Sequence, residues 1–225
     1  MTARLNTTIV VYNESEILVP SEDMVVAVLA KYGVTVNEAQ IYQIRRYIAC
    51  LVYWNQRVSL TSVTTPMEIV ERHFAESMFG ASFLRQEESR LADVGAGPGF
   101  PGLALKIALP SLRVLLIERN AKKCAFLNEV TRLLDLNHVT VIRADYGSIS
   151  PKEGYFDYIT ARALGGHKDL LRWAAERLKP DGEIILWLGV QDSLKLSQIR
   201  GWRWDPPIAI PQSQRRVILA GRPIP

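Results

Sequence analysis

The sequence predicts a doubly wound α/β fold with a mostly parallel, seven-stranded sheet, preceded by a helical extension. From about residue 90, short apolar runs rich in branched residues alternate with segments of helical periodicity. This alternation is typical of parallel strands covered by helices on both faces. Before that point, apolar residues recur at helical spacing and show no strand-like alternation. The second domain therefore carries the sheet, and the first is helical.

The helical extension is predicted to cover residues 1–84 and to contain three main helices. The first begins after Ser21, a favourable N-cap, and ends near Gly33. The second begins after Asn37, which is also a good capping residue. The third begins at Pro66, because proline is well suited to the first position of a helix.

Residues 85–225 are predicted to form the sheet domain. Right-handed helical crossovers join five parallel strands, which correspond to RLADV, RVLLIE, HVTVIRAD, FDYITARA and GEIILWLG. The tail, DPPIAIPQSQRRVILAG, contains two apolar runs separated by a polar turn. We expect these runs to add an antiparallel pair at the sheet edge, which brings the total to seven strands.

Composition limits the class of protein and its compartment. With 48% apolar and 22% charged residues among 225, the chain can bury a large core. It has no run of about 18 apolar residues that would cross a membrane, and its N-terminus lacks the features of a signal peptide. Cys50 and Cys124 fit neither a disulfide framework nor a metal cluster. We therefore expect a metal-free protein of the reducing cytoplasm.

Charge is unevenly distributed along the chain. Residues 1–80 contain six basic and eight acidic residues, a net charge of −2. Residues 81–225 contain twenty-one basic and fifteen acidic residues, a net charge of +6. A basic sheet domain favours a polyanionic partner such as nucleic acid.

The first predicted strand leads into a glycine-rich turn, GAGPGFPG, which begins at Gly95. In an open parallel sheet, ligands bind at this edge. A P-loop is excluded because no Lys-Ser/Thr pair follows Gly102. A dinucleotide fingerprint is disfavoured because Phe100 replaces a glycine. Pro98 and Pro101 also lack the backbone N–H groups that hold a pyrophosphate.

Two further strand ends carry carboxylates. Glu118 is placed to accept hydrogen bonds from ribose hydroxyls, and Asp145 from an exocyclic amine of adenine. The glycines allow a bulky ligand to approach the backbone. The pattern favours an adenosine without phosphates, of which S-adenosylmethionine is the common cofactor. The predicted cofactor-binding residues are Gly95, Gly97, Gly99, Glu118, Ala144 and Asp145.

These motifs resemble a known family. DVGAGPGFPGLAL and FDYITARA, with WNQRVSLTSVTTPMEIVERHFAES upstream, are similar to the ribosomal RNA small-subunit methyltransferase G family, also called glucose-inhibited division protein B. The resemblance runs from about Trp54 to Gly189. It implies a Rossmann-like class I methyltransferase that uses S-adenosylmethionine to methylate guanine N7 in 16S ribosomal RNA. It further implies that the partner is small-subunit ribosomal RNA or a ribosomal particle, and we expect a monomer.

The resemblance adds Phe100 and Arg162 to the cofactor contacts. Arg162 is also the candidate catalytic residue, although it could instead bind an RNA phosphate or form a buried structural ion pair. Arg143, Arg215 and Arg216 are the candidate RNA contacts. For Arg215 and Arg216, a solvated turn is the alternative.

Three positions depart from the family pattern. Phe100 stands where an aliphatic residue is usual, and Glu76 stands where an aspartate is usual. Leu188 occupies the place of a lysine that typically precedes the glycine after the fifth strand. If that lysine contacts RNA, the contact is lost or moved in this chain.

Guanine N7 has an in-plane lone pair, so a methyltransferase acting there needs alignment rather than a general base. Three other functions remain open at this stage. The chain could methylate a small molecule or a protein, bind NAD(P) as an oxidoreductase of the same topology, or bind the ribosome without catalysis.

Overall fold

One β-sheet organises the structure, a computed structural model that describes residues 18–85, 88–150 and 153–224. The N-terminal stretch in which we predicted no signal peptide lies outside these residues. The described strands are, in chain order, β1 (Arg90–Val94), β2 (Arg113–Glu118), β3 (Val139–Arg143), β4 (Phe156–Arg162), β5 (Leu178–Gly189), β6 (Trp202–Trp204), β7 (Ile208–Ala209) and β8 (Arg216–Pro223).

The strands follow the order β3-β2-β1-β4-β5-β8-β6, and β7 also pairs with β8. Strands β1 to β5 run parallel to one another, whereas β8 runs antiparallel to β5. The chain first adds strands on one side of β1 and then returns to add β4 on the other. The predicted doubly wound α/β fold is therefore confirmed. This topology places a crevice at the carboxyl ends of β1 and β4, where ligands bind in such sheets.

The predicted count of seven strands is wrong, because the described part of the sheet has eight. The predicted antiparallel pair is present as β7 and β8. The additional strand is β6, which pairs with the distal half of β8. Strand β8 is long enough for its free edge to hold both β6 and β7, with Asp205–Pro207 between them. A three-residue strand is too short to show alternation, so the pattern did not reveal it.

Helices cover both faces of the sheet, and among those described none is long and apolar enough to cross a membrane. Helices α5, α6 and α7 connect parallel strands, and α8 follows β5. The described α-helices are α1 (Glu22–Ala30), α2 (Glu38–Asn55), α3 (Pro66–Glu68), α4 (Glu76–Phe79), α5 (Gly102–Ala108), α6 (Ala121–Leu133), α7 (His167–Ala175) and α8 (Val190–Leu196).

The predicted helix starts are confirmed by capping bonds. Ser21 accepts from the amide of Met24 at 3.3 Å. Asn37 and Gln40 form a reciprocal capping box, with both bonds at 2.9 Å. Thr65 caps α3, which begins at Pro66 as expected.

The third predicted helix is not α-helical throughout. Between α3 and α4 it passes through a π-helical segment, Ile69–Ala75. The amide of Glu76 donates to the carbonyl of Glu71, five residues earlier. Such wide turns occur frequently at functional sites, and this one contains His73.

Each face of the sheet has its own hydrophobic core. Leu171 of α7 and Leu196 of α8 pack over Ile159 on one face. On the other face, Tyr47 of α2 belongs to the same buried cluster as Leu116 of β2. The N-terminal helices therefore share a core with the sheet. The domain boundary at residue 84 falls just before β1 and stays a prediction.

Candidate active site

The first cavity lies where the parallel strands end and has a volume of about 570 Å³. It opens beside the glycine turn after β1 and the ends of β2 and β3. Its lining residues are Gly95, Gly97, Ile117, Glu118, Arg119, Lys123, Ala144, Asp145, Tyr146, Ala163, Leu164 and Gly165. Five of the predicted cofactor-binding residues are thus brought together here: Gly95, Gly97, Glu118, Ala144 and Asp145.

Two glycines let the backbone of the turn line this cavity. Gly95 and Gly97 have φ angles of +68° and +56°, which L side chains rarely adopt. A Cβ on Gly95 would lie 2.9 Å from Cδ1 of Leu164. A Cβ on Gly97 would meet only the Gly95 carbonyl oxygen, at 3.7 Å, so this position borders open space. The turn therefore forms a cradle that a side chain would fill.

The structure does not bring Gly99 or the side chain of Phe100 to the cavity. A Cβ on Gly99 would collide with the Tyr47 hydroxyl, so this glycine makes room for packing. The Phe100 ring is buried and stacks between the rings of Tyr47 and His73. For these two residues, the packing of the N-terminal helices explains the sequence better than a cofactor contact does.

Glu118 and Asp145 place two carboxylates at neighbouring strand ends, as predicted. Glu118 is buried, and its oxygens accept from the amides of Gly97 at 3.0 Å and Asn120 at 2.8 Å. Asp145 is exposed and accepts from the amide of Gly147 at 3.0 Å. These bonds orient both carboxylates, and carboxylate oxygens can accept further bonds from ribose or amine donors.

A third carboxylate, Asp93, supports the turn from below and was missed in the sequence. It is buried at the end of β1 and accepts from the Thr160 hydroxyl at 2.8 Å and the Gly102 amide at 3.0 Å. Burial raises the pKa of Asp93 to about 7. A Cβ on Gly102 would lie 2.7 Å from Oδ2 of Asp93, so this glycine allows the contact. A lone carboxylate within an apolar strand was the signal that could have found it.

A second cavity of about 490 Å³ adjoins the first, and the two share a wall formed by residues 163–165. This second cavity is built from the π-helical region and the ends of β4, β5 and β8. Its lining residues are Arg72, Glu76, Arg162, Ala163, Leu164, Gly165, His167, Trp187, Leu188, Gly189, Asp192, Ile210 and Arg216.

Glu76 is the centre of an ion cluster in the second cavity. Its carboxylate is almost completely buried and pairs with Arg162 at 3.1 Å and Arg216 at 2.7 Å. Burial raises the pKa of Glu76, and the two guanidinium groups counter that rise. Because both arginines converge on one carboxylate, the cluster keeps a positive charge.

Arg162 lies in the second cavity and does not line the first. Its guanidinium donates to the backbone carbonyl of Arg72 at 2.7 Å and to the Ser77 hydroxyl at 3.4 Å, besides its bond to Glu76. It therefore ties the end of β4 to the helical segment that carries these residues.

The predicted RNA contacts occupy different places. Arg216 joins Arg162 in the second cavity. Arg143 is exposed at the end of β3, in register with Glu118. Arg215 is exposed beside the start of β8. Within the described residues, no group of three or more His, Cys, Asp or Glu side chains is arranged to hold a metal ion.

This sheet order, with a cavity at its switch point and carboxylates at the ends of β2 and β3, is the arrangement of the class I methyltransferase fold. Solved structures share the fold. A predicted O-methyltransferase from Agrobacterium tumefaciens matches with a TM-score of 0.53 and 22% identity, over 64% of this chain and 79% of that one. A mutant of MtNAS in complex with S-adenosylmethionine matches with a TM-score of 0.56 and 16% identity, over 91% and 78%.

Sequence relatives identify the family. The family model for rRNA small subunit methyltransferase G matches residues 40–200. A relative from Roseiflexus castenholzii is 39% identical over 72% of this chain and 71% of its own length. A relative from Stenotrophomonas maltophilia is 34% identical over 74% and 78%. Both are named ribosomal RNA small subunit methyltransferase G. The chain belongs to this family, so the predicted resemblance is confirmed and the oxidoreductase alternative is wrong.

Proposed function

We propose that this protein transfers a methyl group from S-adenosylmethionine to N7 of a guanine in 16S ribosomal RNA. The observation that carries the proposal is the pair of cavities on either side of residues 163–165. One has carboxylates suited to an adenosine, and the other has arginines suited to a nucleotide. Their common wall lets a methyl donor and an acceptor base meet.

The first cavity fits the cofactor. Glu118 would hold the ribose hydroxyls, and Asp145 with the Ala144 backbone would hold the adenine. Gly95 and Gly97 leave room against the turn. The cofactor supplies an electrophilic methyl group on a sulfonium, and the residues of this chain need only orient it.

The second cavity fits the acceptor nucleotide. Three arginines, Arg72, Arg162 and Arg216, face two carboxylates, Glu76 and Asp192, which leaves a net positive charge. The remaining wall includes apolar surface from Leu188 and other buried side chains. Cationic groups beside apolar surface suit a nucleotide, because the phosphate and the base need different partners.

The two arginines that pair with Glu76 have different roles in the proposal. The Arg162 guanidinium already donates hydrogen bonds to Arg72, Glu76 and Ser77, so in the proposal it is a positioning residue that holds the cavity wall. Arg216 is about one-third exposed, and its pairing with Glu76 engages one end of the guanidinium, Nη2, at 2.7 Å. Arg216 therefore presents a cation to the RNA, and Arg143 and Arg215 add contacts to the phosphate backbone outside the cavity.

The site is arranged for a nitrogen nucleophile that carries its own lone pair. Methylation at carbon 5 of a pyrimidine requires a nucleophilic cysteine. Cys124 is buried, and its thiol donates to the Glu118 carbonyl at 3.1 Å. Burial also raises the pKa of this thiol, which keeps it protonated. Alignment alone can lower a barrier by about 7–11 kcal/mol, which suits attack by N7.

The substrate in the proposal is the ribosomal RNA itself or an assembled small-subunit particle, and the enzyme acts as a monomer in the cytoplasm. The test uses the full chain, labelled S-adenosylmethionine, and small-subunit RNA from cells that lack the gene. Naked RNA and assembled particles are assayed separately. We expect label in one of them, and we expect digestion to yield 7-methylguanosine.

The controls separate the remaining alternatives. RNA from cells that contain the gene should accept little label, because its site is already methylated. Absence of label from both RNA and particles would overturn the RNA assignment, and label in protein or in small molecules of an extract would replace it. Cofactor binding without any transfer would support a non-catalytic ribosome-binding role instead.

A further inference from the structure

The glycine turn that lines the cofactor cavity is held from behind by the N-terminal helices. Tyr47, in the middle of α2, is fully buried. Its hydroxyl donates to the backbone carbonyl of Pro98 at 2.5 Å. Pro98 stands between Gly97, which lines the cavity, and Gly99, which faces Tyr47. One hydrogen bond therefore connects the helical region directly to the turn.

Backbone bonds also shape the turn: the amide of Gly99 donates to the carbonyl of Ala96 at 2.7 Å, across Gly97 and Pro98. The amides of Gly95 and Ala96 donate to the Ile117 carbonyl at 2.9 and 3.1 Å, which fixes the start of the turn. Further along, Pro98 has no amide hydrogen to donate. On the cavity side, the amide of Gly97 donates to Glu118 at 3.0 Å. The middle of the turn is thus closed by its own backbone bond and is held in place between Glu118 in front and Tyr47 behind.

A stack of rings reinforces the contact from behind. Phe100 lies nearly parallel to Tyr47, with centroids 5.2 Å apart, and to His73, with centroids 4.7 Å apart. Phe74 packs edge-on against both Tyr47 and Phe100. His73 is itself anchored, because its Nε2 lies 2.8 Å from the Thr61 hydroxyl. Residues of two N-terminal helical segments therefore define where the end of the turn lies.

We propose that Tyr47 is a positioning residue for the cofactor: its hydroxyl holds the Pro98 carbonyl so that Gly97 keeps the open cradle next to Glu118. The helical region then sets cofactor affinity although its residues do not line the cavity. This inference rests on the cofactor half of the proposed function and is independent of the RNA acceptor.

The test compares Tyr47→Phe with the unchanged protein by calorimetric titration with S-adenosylhomocysteine. The variant keeps the ring stack and removes only the hydroxyl. A buried hydrogen bond contributes about 1 kcal/mol, so we expect the Kd to rise about fivefold. In methyl-transfer assays the KM for S-adenosylmethionine should rise by a similar factor, while the KM for RNA stays unchanged.

Tyr158→Phe is the matched control. Tyr158 is also buried, and its hydroxyl accepts from the backbone amide of Arg85 at 3.0 Å, far from the cavity lining. Both variants should lose thermal stability, because each leaves one backbone group without its partner. Only Tyr47→Phe should lose cofactor affinity.

An unchanged Kd for Tyr47→Phe, with a loss of stability equal to that of the control, would overturn the positioning role. If Tyr47→Phe does not fold, Phe100→Leu serves in its place, since it removes the ring that stacks on Tyr47 and orients its hydroxyl toward the Pro98 carbonyl. We expect about a twofold rise in Kd for that variant, and no rise would count against the proposal. Failure of the unchanged protein to bind the probe would instead overturn the cofactor assignment itself.

Discussion

The two cavities of this protein are neighbours, yet they are built in different ways. The first is made of strand ends and turns that follow one another along the chain, and backbone groups form much of its wall. The second is made of side chains from the π-helical region, β4, β5 and β8, which are far apart in the sequence. The first therefore depends on room for the ligand, whereas the second depends on charge.

This difference explains how glycine and arginine are used. Gly95 and Gly97 matter because a side chain there would clash or fill the cradle. Arg162 and Arg216 matter because they converge on the buried Glu76. A substitution in one cavity should change the affinity for one substrate and leave the other unaffected.

The largest effect is expected for Gly97→Val. The variant adds strain at a φ of +56° and fills the cradle, so cofactor affinity should fall at least about 100-fold. Gly33→Val is the matched control, because Gly33 has a similar φ of +68° and nothing within 4 Å of the added Cβ. Calorimetry should show normal cofactor binding for the control. Comparable affinity in the two variants would contradict the placement of the cofactor.

Arg216→Gln should have a smaller effect, and it should weaken binding of RNA instead of the cofactor. Loss of a charged hydrogen-bonding group costs about 1.5–3 kcal/mol, so the KM for RNA should rise roughly 10-fold or more. Cofactor affinity should be unchanged, because Arg216 does not line the first cavity. Arg203→Gln, an exposed arginine on β6, is the control and should leave both constants unchanged. An equal loss of affinity for RNA and for the cofactor would show that the two cavities are not independent.

The smallest effect concerns His73, which is buried and stacks on Phe100. Burial, with Arg162 and Arg72 nearby, lowers the pKa of His73 to about 3. Between pH 6.5 and 3 the unfolded chain binds a proton that the folded chain does not, so the stability from neutral His73 falls as pH falls. From pH 7.5 to 6 we expect a loss of about 1 kcal/mol that His73→Gln does not show. Urea unfolding at both pH values measures the free energy of unfolding of the two proteins. Equal losses in the unchanged protein and in His73→Gln would show that a group other than His73 takes up the proton.

Individual residues show how much of the site the sequence could predict. Glu118 and Asp145 were predictable because each lies at or just after the end of a strand, and parallel strands bring their carboxyl ends to one edge. Gly99 and Phe100 were assigned to the same site because they lie in the same turn. Their orientation toward Tyr47 depends on a helix about fifty residues earlier, which local pattern does not reveal. Strand β6 was missed because three residues are too few to show a period.

The sequence by itself determined the alternation of strands and helices, the glycine turn and the carboxylates at the ends of β2 and β3. These features are local, since they depend on periodicity, on backbone freedom and on residues at strand ends. Only the tertiary structure decided that Glu76 joins Arg162 to Arg216, and that Tyr47 supports the turn. Such contacts join residues from distant elements, and they exist only when the sheet and the N-terminal helices pack into one core.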